Sequence, residues 1–323
     1  MSLSRLRTRH LLVASLCLSG ILALSPNIWA QDEPAAPATP AADEAPIVPN
    51  TPFPSLIALD AGDAVWTLKV SEGSLRVNGD VAVNSSNRGA IWLANGSVEA
   101  QNGNVSVVGG VSRLQKTLVR PLVASDGVVS DPLPEFGIPS PGRVVSNKAL
   151  FVGSEEVGDK SLPPGIYSGG IFATGKGHIT LQPGVFVIVN GDFSAIGPTI
   201  EGEGVTIVMA GNKPGSLRFS LGARLNASAP TSGKLKDLLI ISRAGGDFAG
   251  DVAFASAGNS ELKGIIYAPN TAFSTQYTRN VTVSKIIAKN VSVTSGNVTV
   301  TGLSAAPAPV ATENAAVTEV PAG

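Results

Sequence analysis

The chain has 323 residues, with 23 basic and 24 acidic side chains and a formal charge of −1 at neutral pH. That balance excludes an electrostatic pull toward nucleic acid or an anionic lipid surface. Charged residues make up 15%, against a usual ~25%, while glycine is abundant at 36 residues; Val, Ile, Thr, Ser, Asn and Gly set a composition of strands and turns.

The N-terminus reads as a secretory signal peptide over 1–30. Arg5, Arg7, Arg9 and His10 form a basic n-region, and 11–24 is a short apolar h-region. Ser25-Pro26 breaks it, and Ile28-Trp29-Ala30 places cleavage after Ala30. The apolar run falls short of the ~20 residues that a membrane span needs; an uncleaved anchor is the rival reading. A lipoprotein signal requires a small residue before the cysteine, whereas Leu16 precedes Cys17. Cys17 is the only cysteine and leaves with the signal. The mature chain then forms no disulfide and no thiolate metal site, and a large core has to supply its stability. No transmembrane segment is expected after cleavage.

Residues 31–54 form an Ala/Pro-rich linker, expected to be disordered. The structured body is expected over 55–303. It opens with short runs such as Val65-Trp66-Thr67-Leu68-Lys69-Val70, in which Trp66, Leu68 and Val70 share one parity. Further short runs follow at 74–77, 81–83, 90–93, 97–100 and 105–108, with Gly, Asn or Ser between most of them. Over 121–141 the prolines Pro121, Pro132, Pro134, Pro139 and Pro141 deny donors to a central strand, so this stretch reads as a long surface connection packed along the body. It also leaves open whether two domains meet there.

A repeat follows. Pro164-Gly165-Ile166-Tyr167, Pro183-Gly184-Val185-Phe186 and Glu203-Gly204-Val205-Thr206 place a turn before an apolar run, with glycines 19 (184 − 165) and 20 (204 − 184) apart. A tight turn and a β run at a short fixed period is the signature of a solenoid. Runs at 238–242 and 264–268 read as buried strands; 280–283, 290–293 and 297–300 alternate valine with polar residues, and 285–288 is a compact run between them. The asparagines at the starts of these last runs suit turns and stacking between coils. The fold expected is all-β, a parallel β-helix of short strands with no helical stripe, closed by a disordered Ala/Pro-rich tail over 304–323.

Four stretches then carry a family likeness in chain order. They are Gly73-Ser74-Leu75-Arg76-Val77-Asn78 with Gly89-Ala90-Ile91-Trp92-Leu93 and Val107-Val108-Gly109-Gly110; Asp131-Pro132-Leu133-Pro134; the pair Pro164-Gly165-Ile166-Tyr167-Ser168-Gly169-Gly170-Ile171 and Leu181-Gln182-Pro183-Gly184-Val185-Phe186-Val187-Ile188; and Gly204-Val205-Thr206-Ile207 with Gly264-Ile265-Ile266-Tyr267-Ala268-Pro269. Over roughly 70–300 the chain resembles the TadG-like C-terminal domain associated with tight-adherence (Flp-type) pilus-assembly proteins and its stand-alone secreted bacterial relatives. It departs from the pilus protein in lacking a membrane helix and a von Willebrand-type segment before the domain. The resemblance implies a fold and a cell-envelope setting, and no agreed activity.

Chemistry-bearing residues are few. Asp192, Glu201, Glu203, Asp237, Asp247 and Asp251 are the candidate acids for a hydrolase or lyase site. Glu201 and Glu203 share parity but sit in a Gly-rich turn, where solvation is the plainer reading. Asp247 and Asp251 would offer oxygen ligands to calcium from a Gly-rich loop, against the plainer reading of a turn. His178 is the only histidine beyond the signal, and no Gly-x-Ser-x-Gly elbow accompanies it. Asn84, Asn95, Asn104, Asn226, Asn280, Asn290 and Asn297 begin Asn-x-Ser/Thr triplets that coincide with the strand pattern. The pairs Thr282/Ser284, Ser292/Thr294 and Thr299/Thr301 resemble an ice-binding array, but their steps of 10 (292 − 282) and 7 (299 − 292) do not stack on the glycine period. No catalytic, cofactor or metal residue is assigned.

The function expected is that of a non-catalytic secreted β-solenoid of the bacterial envelope, in surface adhesion or as a structural matrix component. Its partners would be extracellular or cell-surface polysaccharide or envelope proteins. A polysaccharide-binding or polysaccharide-cleaving β-helix and an ice-binding solenoid are the alternatives. Trp66 and Trp92, the only tryptophans beyond the signal, are sparse for a sugar-stacking cleft.

Overall fold

A run such as Ser74-Leu75-Arg76-Val77-Asn78 cannot bury both faces, so it becomes a wall with Leu75 and Val77 inside and Arg76 outside. Stacking many such walls in parallel satisfies their backbone groups coil to coil and joins their apolar faces into one core. This is the architecture of the computed structural model, which describes residues 45–49, 51–133, 136–137, 142–153, 159–243 and 250–303. The expected signal peptide, linker residues 31–44, Pro134, Pro139, Pro141, Asp247 and the tail over 304–323 lie outside the described residues.

The chain is all-β among the described residues, with every strand pairing parallel, and forms a β-solenoid of about ten turns. Each coil has three walls. Face A contains Leu56–Ala58, face B contains Leu68–Ser71 and face C contains Ser74–Asn78, and later coils repeat that order. The step between stacked partners is not constant. Gly165 lies opposite Phe186 (186 − 165 = 21), Leu217 opposite Val252 (252 − 217 = 35) and Val281 opposite Val298 (298 − 281 = 17). The expected step of 19 to 20 therefore holds for some coils, as for Lys160 opposite Ile179 (179 − 160 = 19) and Ile91 opposite Val111 (111 − 91 = 20), and not for all. Gly184 does not stack on Gly165, because the corner between faces C and A shifts by two positions.

Coil order departs from chain order. The coil at 56–78 is an inner coil: Leu75 sits between Val98 on one side and Val298 on the other. The chain starts beside its own last coil and winds outward to one end at 105–124. It resumes at the opposite end at 144–162, and from there winds back to 300.

The inner faces of the coils share one apolar core. Within it Phe193, Phe219, Phe254 and Phe273 form an aromatic ladder, with successive ring centroids 6.0, 5.4 and 6.3 Å apart. Thr275 continues the inward column beyond Phe254 and is buried, and its Oγ1 has no hydrogen-bond partner. Removing that hydroxyl while keeping the shape stabilises, since an unpaired buried donor costs ~1–3 kcal/mol. Thr275→Val is expected to raise the urea midpoint by the equivalent of about 1 kcal/mol; a lowered midpoint would show that the hydroxyl is satisfied in solution.

Two devices shape the corners. Among the described residues the corners between faces B and C bend through left-handed residues, from Glu72, Asn95 and Gln115 to Gly197, Leu221 with Gly222, Tyr277 and Ser295. Between faces A and B, Gly169, Gly191, Gly215 and Gly250 stack across four coils. A Cβ on Gly191 would collide with the backbone of Gly169, and one on Gly250 with that of Gly215. Only glycine permits this approach.

Face A is apolar on both sides, as the uniformly buried strands Val205–Ala210 and Leu238–Ser242 show. Its outer side needs a cover, and the chain provides one. Ile57, Val187, Val208, Ile241, Tyr267 and Ile287 form a second cluster with Val129, Leu133 and Phe136 of the Pro-rich connection. Val48 and Phe53, from the stretch expected as linker, pack there too. The connection thus runs along the body as expected, although 122–124 still pairs as a strand of face A.

Polar groups latch this cover. The Tyr267 hydroxyl lies 2.7 Å from Asp131 Oδ2 and 2.6 Å from the Leu133 carbonyl oxygen, and its one proton is shared between these two acceptors. Arg243 donates to the carbonyls of Phe136 and Leu133, and stacks on the Phe136 ring. Asn84 makes a two-way bond with the Val129 backbone at 2.8 and 2.9 Å. Lys285 donates to the Phe53 carbonyl at 2.8 Å over the Phe53 ring. The Asp-Pro-Leu and Gly-Ile-Ile-Tyr-Ala-Pro stretches, far apart in sequence, are two halves of one latch.

Burial raises the Tyr267 hydroxyl pKa, and the hydrogen bond to Asp131 raises it further, against an opposing pull from Arg243. Burial lifts Tyr167 to about 12, against a smaller effect of Arg143. A phenol held protonated in the fold adds stability that is complete below the unfolded value near pH ~10 and disappears as pH climbs through the folded value. Tyr267→Phe is expected to cost about 1–2 kcal/mol at pH 7, and its deficit to shrink above pH ~10, where the wild type weakens. Urea midpoints at pH 7, 9 and 11 test this; a deficit that grows with pH would reverse the argument.

Candidate functional site

With face A covered, faces B and C have no such cover among the described residues. Two of face C's outward columns bear on the sequence expectations. One stacks Asn259, Asn280, Asn297 and Ser74, joined by hydrogen bonds of 3.4, 3.2 and 2.7 Å. These are the stacking asparagines that the strand starts implied, and the triplet positions Asn280 and Asn297 are among them. The other column runs Ser161, Thr180, Glu201, Asn226, Glu261, Thr282, Thr299, Arg76, Glu99 and Arg120. Thr282 and Thr299 do stack, because that step is 17 (299 − 282) and not the 19 to 20 expected. Arg76, Glu99 and Glu261 interrupt the column, so face C does not make the uniform threonine ladder that an ice-binding face requires.

Asp192 and Asp251 share one corner column, two coils apart on either side of Ser216, and the other candidate acids are dispersed. Asp192 Oδ1 accepts the Ser216 backbone N–H at 2.7 Å and so braces the A–B corner. Asp251 pairs with Arg218 at 3.2 Å. Asp237 occupies a left-handed corner where burial raises its carboxyl pKa, with Lys236 opposing. Glu201 projects from face C, and Glu203 lies in the exposed turn after it. His178 is exposed at the start of its strand, in register with Thr199. Among the described residues no three His, Cys, Asp or Glu side chains converge to hold a metal ion.

Face B brings together what the sequence had separated. Its central outward column reads Ser274, Ser292, Lys69, Trp92 and Ser112, and the column beside it Gln276, Thr294, Ser71 and Ala94. Trp66, expected inside by parity, is 50% exposed. The strand begins only at Leu68, and Trp66 sits in the preceding corner with φ of 60°. Its ring centroid is 5.6 Å from that of Trp92, at a 45° tilt. The Lys69 ammonium stands 5.7 and 5.3 Å from the two ring centroids. At the far end of the same face, Phe151 (74% exposed) stacks on Phe172 at 5.2 Å. The separation of Trp66 and Trp92 along the chain matches no fixed period, so only the register of Lys69 on Trp92 reveals the pair.

The fold thus defines a three-walled parallel β-solenoid with one self-covered wall and two that no described residue covers. Compared with family models, with curated proteins and with solved structures, the chain matches none of them.

Proposed function

We propose that the protein is a non-catalytic secreted β-solenoid of the bacterial cell envelope, acting in surface adhesion or as a structural matrix component. The observation that carries this reading is the contrast between walls. The chain wraps its own connection over face A, while among the described residues nothing covers faces B and C, sheets about 45 Å long by strand spacing. Bare sheet walls of short polar side chains suit contact with an extended partner better than with a small substrate, which calls for a concave pocket. Asp192 and Asp251, although they share a corner, have carboxylates already engaged by the Ser216 N–H and by Arg218, which also favours it over a hydrolase, which needs two carboxylates across one bond. The signal peptide and the TadG-like resemblance supply the envelope setting.

Protease shaving of intact expressing cells, with detection of the chain from Gln31, tests the reading. Cleavage or release places the protein on the surface. Protection until the outer membrane is opened places it in the periplasm, and adhesion then fails in favour of an internal scaffold.

A further inference from the structure

The geometry points to a subsite for an acidic polysaccharide on face B, built from Trp66, Trp92 and Lys69 and extended by Ser71, Ser292 and Thr294. It rests on the reading of the protein as a non-catalytic envelope solenoid and names the class of partner that one wall takes.

Three independent features converge. The first is placement. A half-exposed tryptophan at φ of 60° is costly twice over, because a bulky residue strains the left-handed region and its ring faces water. Among the described residues, bulky exposed hydrophobic residues in the left-handed region recur only at the B–C corners, at Leu221 and Tyr277, whereas at the A–B corners the other left-handed residues are Gly169, Gly170, Asn190 and Gly211, the types that tolerate it. Folding alone favours one of those at position 66.

The second feature is rigidity. The loop carrying Trp66 is pinned to the next coil by the Trp66 N–H on Gly89 O at 2.9 Å, Ser85 Oγ on Ala64 O at 2.7 Å and Asn87 Nδ2 on Asp63 Oδ1 at 2.8 Å. Trp92 is held by its strand. The two rings are therefore fixed before any ligand arrives, which lowers the entropic cost of binding.

The third is charge. The Lys69 ammonium lies over both rings in cation–π contact, and none of the ion pairs among the described residues involves it, so a carboxylate can take it up while the sugar ring meets the rest of the aromatic surface. Apolar ring faces suit the C–H face of a pyranose, and an unneutralised ammonium between them suits a uronate carboxylate. It repels a cationic partner. From Trp92 the hydroxyls of Ser292 and Ser274 follow in one column and those of Ser71 and Thr294 in the next, one strand spacing apart. A linear chain lying across the strands meets the rings first and then this hydroxyl strip.

The test uses the full chain carrying Trp29→Phe, so that every tryptophan signal arises from the site. Polygalacturonate is titrated at low salt, with hydroxyethylcellulose as the neutral linear control. A saturable fluorescence change with polygalacturonate is expected, with Trp66→Gly and Trp92→Ala each weakening binding about ten-fold or more. Lys69→Gln is expected to erase the preference for the acidic polymer. Trp66→Gly should keep the wild-type Tm, since glycine relieves the left-handed strain, so lost binding there is not lost folding. No saturable change, equal binding of the neutral polymer, or full binding by Trp66→Gly overturns the proposal. Location is read separately by shaving: surface exposure without binding sinks the subsite and leaves the envelope reading, whereas protection in the cell sinks adhesion whatever the binding.

Discussion

Phe219→Ala is expected to destabilise the solenoid by about 3–5 kcal/mol, the range for emptying a buried phenylalanine site. Phe219 has no exposed surface and lies within the ladder, between Phe193 and Phe254. Its loss removes the apolar transfer term and leaves a void between two rings that cannot close on each other. The coils above and below are fixed by backbone ladders, so Phe193 and Phe254 have little freedom to relax inward. It also removes two ring contacts, each worth ~0.5–1.5 kcal/mol beyond buried area. Phe219→Leu, which keeps most of the volume, is expected to lose less than half as much. Urea midpoints of the two variants measure the difference. Equal losses would mean that the ring contacts and not the cavity carry the effect. A loss below ~1 kcal/mol in the alanine variant would mean that the coils do shift, and the rigid-stack argument fails.

Much of the fold was legible in the residues because a strand's parity is a local property. Leu75 and Val77 in, Arg76 out, follows from the side-chain period alone, as does Val298 and Val300 in, Thr299 out. The continuous run at 238–242 announced a strand covered on both sides, and the prolines from Pro121 announced a connection. What lies beyond strand parity was not legible. Leu75 could stack on almost any Val-x-Val strand of the chain, and nothing local selects Val298, at the opposite end of the body in sequence. Coil steps from 17 to 35 arise from corner insertions such as 229–237, which a search at fixed period cannot absorb. Trp66 departs from its expected side for a related reason. Parity does not carry through a corner, where a left-handed residue resets which side the next side chain takes. The aromatic pair on face B depends on that corner and on a register set by the stack. Composition pointed away from a sugar-stacking surface, because two tryptophans look sparse until they are found side by side.

The same non-local closure makes one seam decisive. The N-terminal coils 56–124 join the rest of the solenoid through the pairing of Leu56–Ala58 with 286–288, Leu68–Ser71 with 291–294 and Ser74–Asn78 with Asn297–Val300, apart from the connection on face A. These contacts form late, since each closes a loop that takes in most of the chain and yields nothing until it is closed. Val291 sits at the centre of that seam, fully buried between Phe273 and Leu68. Val291→Asp places a carboxyl where no partner exists, and a loss of ~4–5 kcal/mol is expected, at the severe end for a single substitution. The loss should be local before it is global. Hydrogen exchange is expected to rise in 56–124 and 280–300 together, while strands Gly184–Ile196 and Val205–Ala210, several coils away, keep their protection. Leu68→Asp attacks the same seam from the other side. The double variant should therefore cost clearly less than the two single losses combined, because a seam already opened has little left to lose. Uniform loss of protection along the chain, or full additivity, would show that the first and last coils do not close the solenoid as one cooperative joint. A seam that opens ahead of the rest would also unseat Lys69 from Trp92's flank only if 56–78 and 81–101 part company. Their own pairing, from Leu68 on Ile91 to Asn78 on Gln101, argues that they leave as one block with the face B site intact.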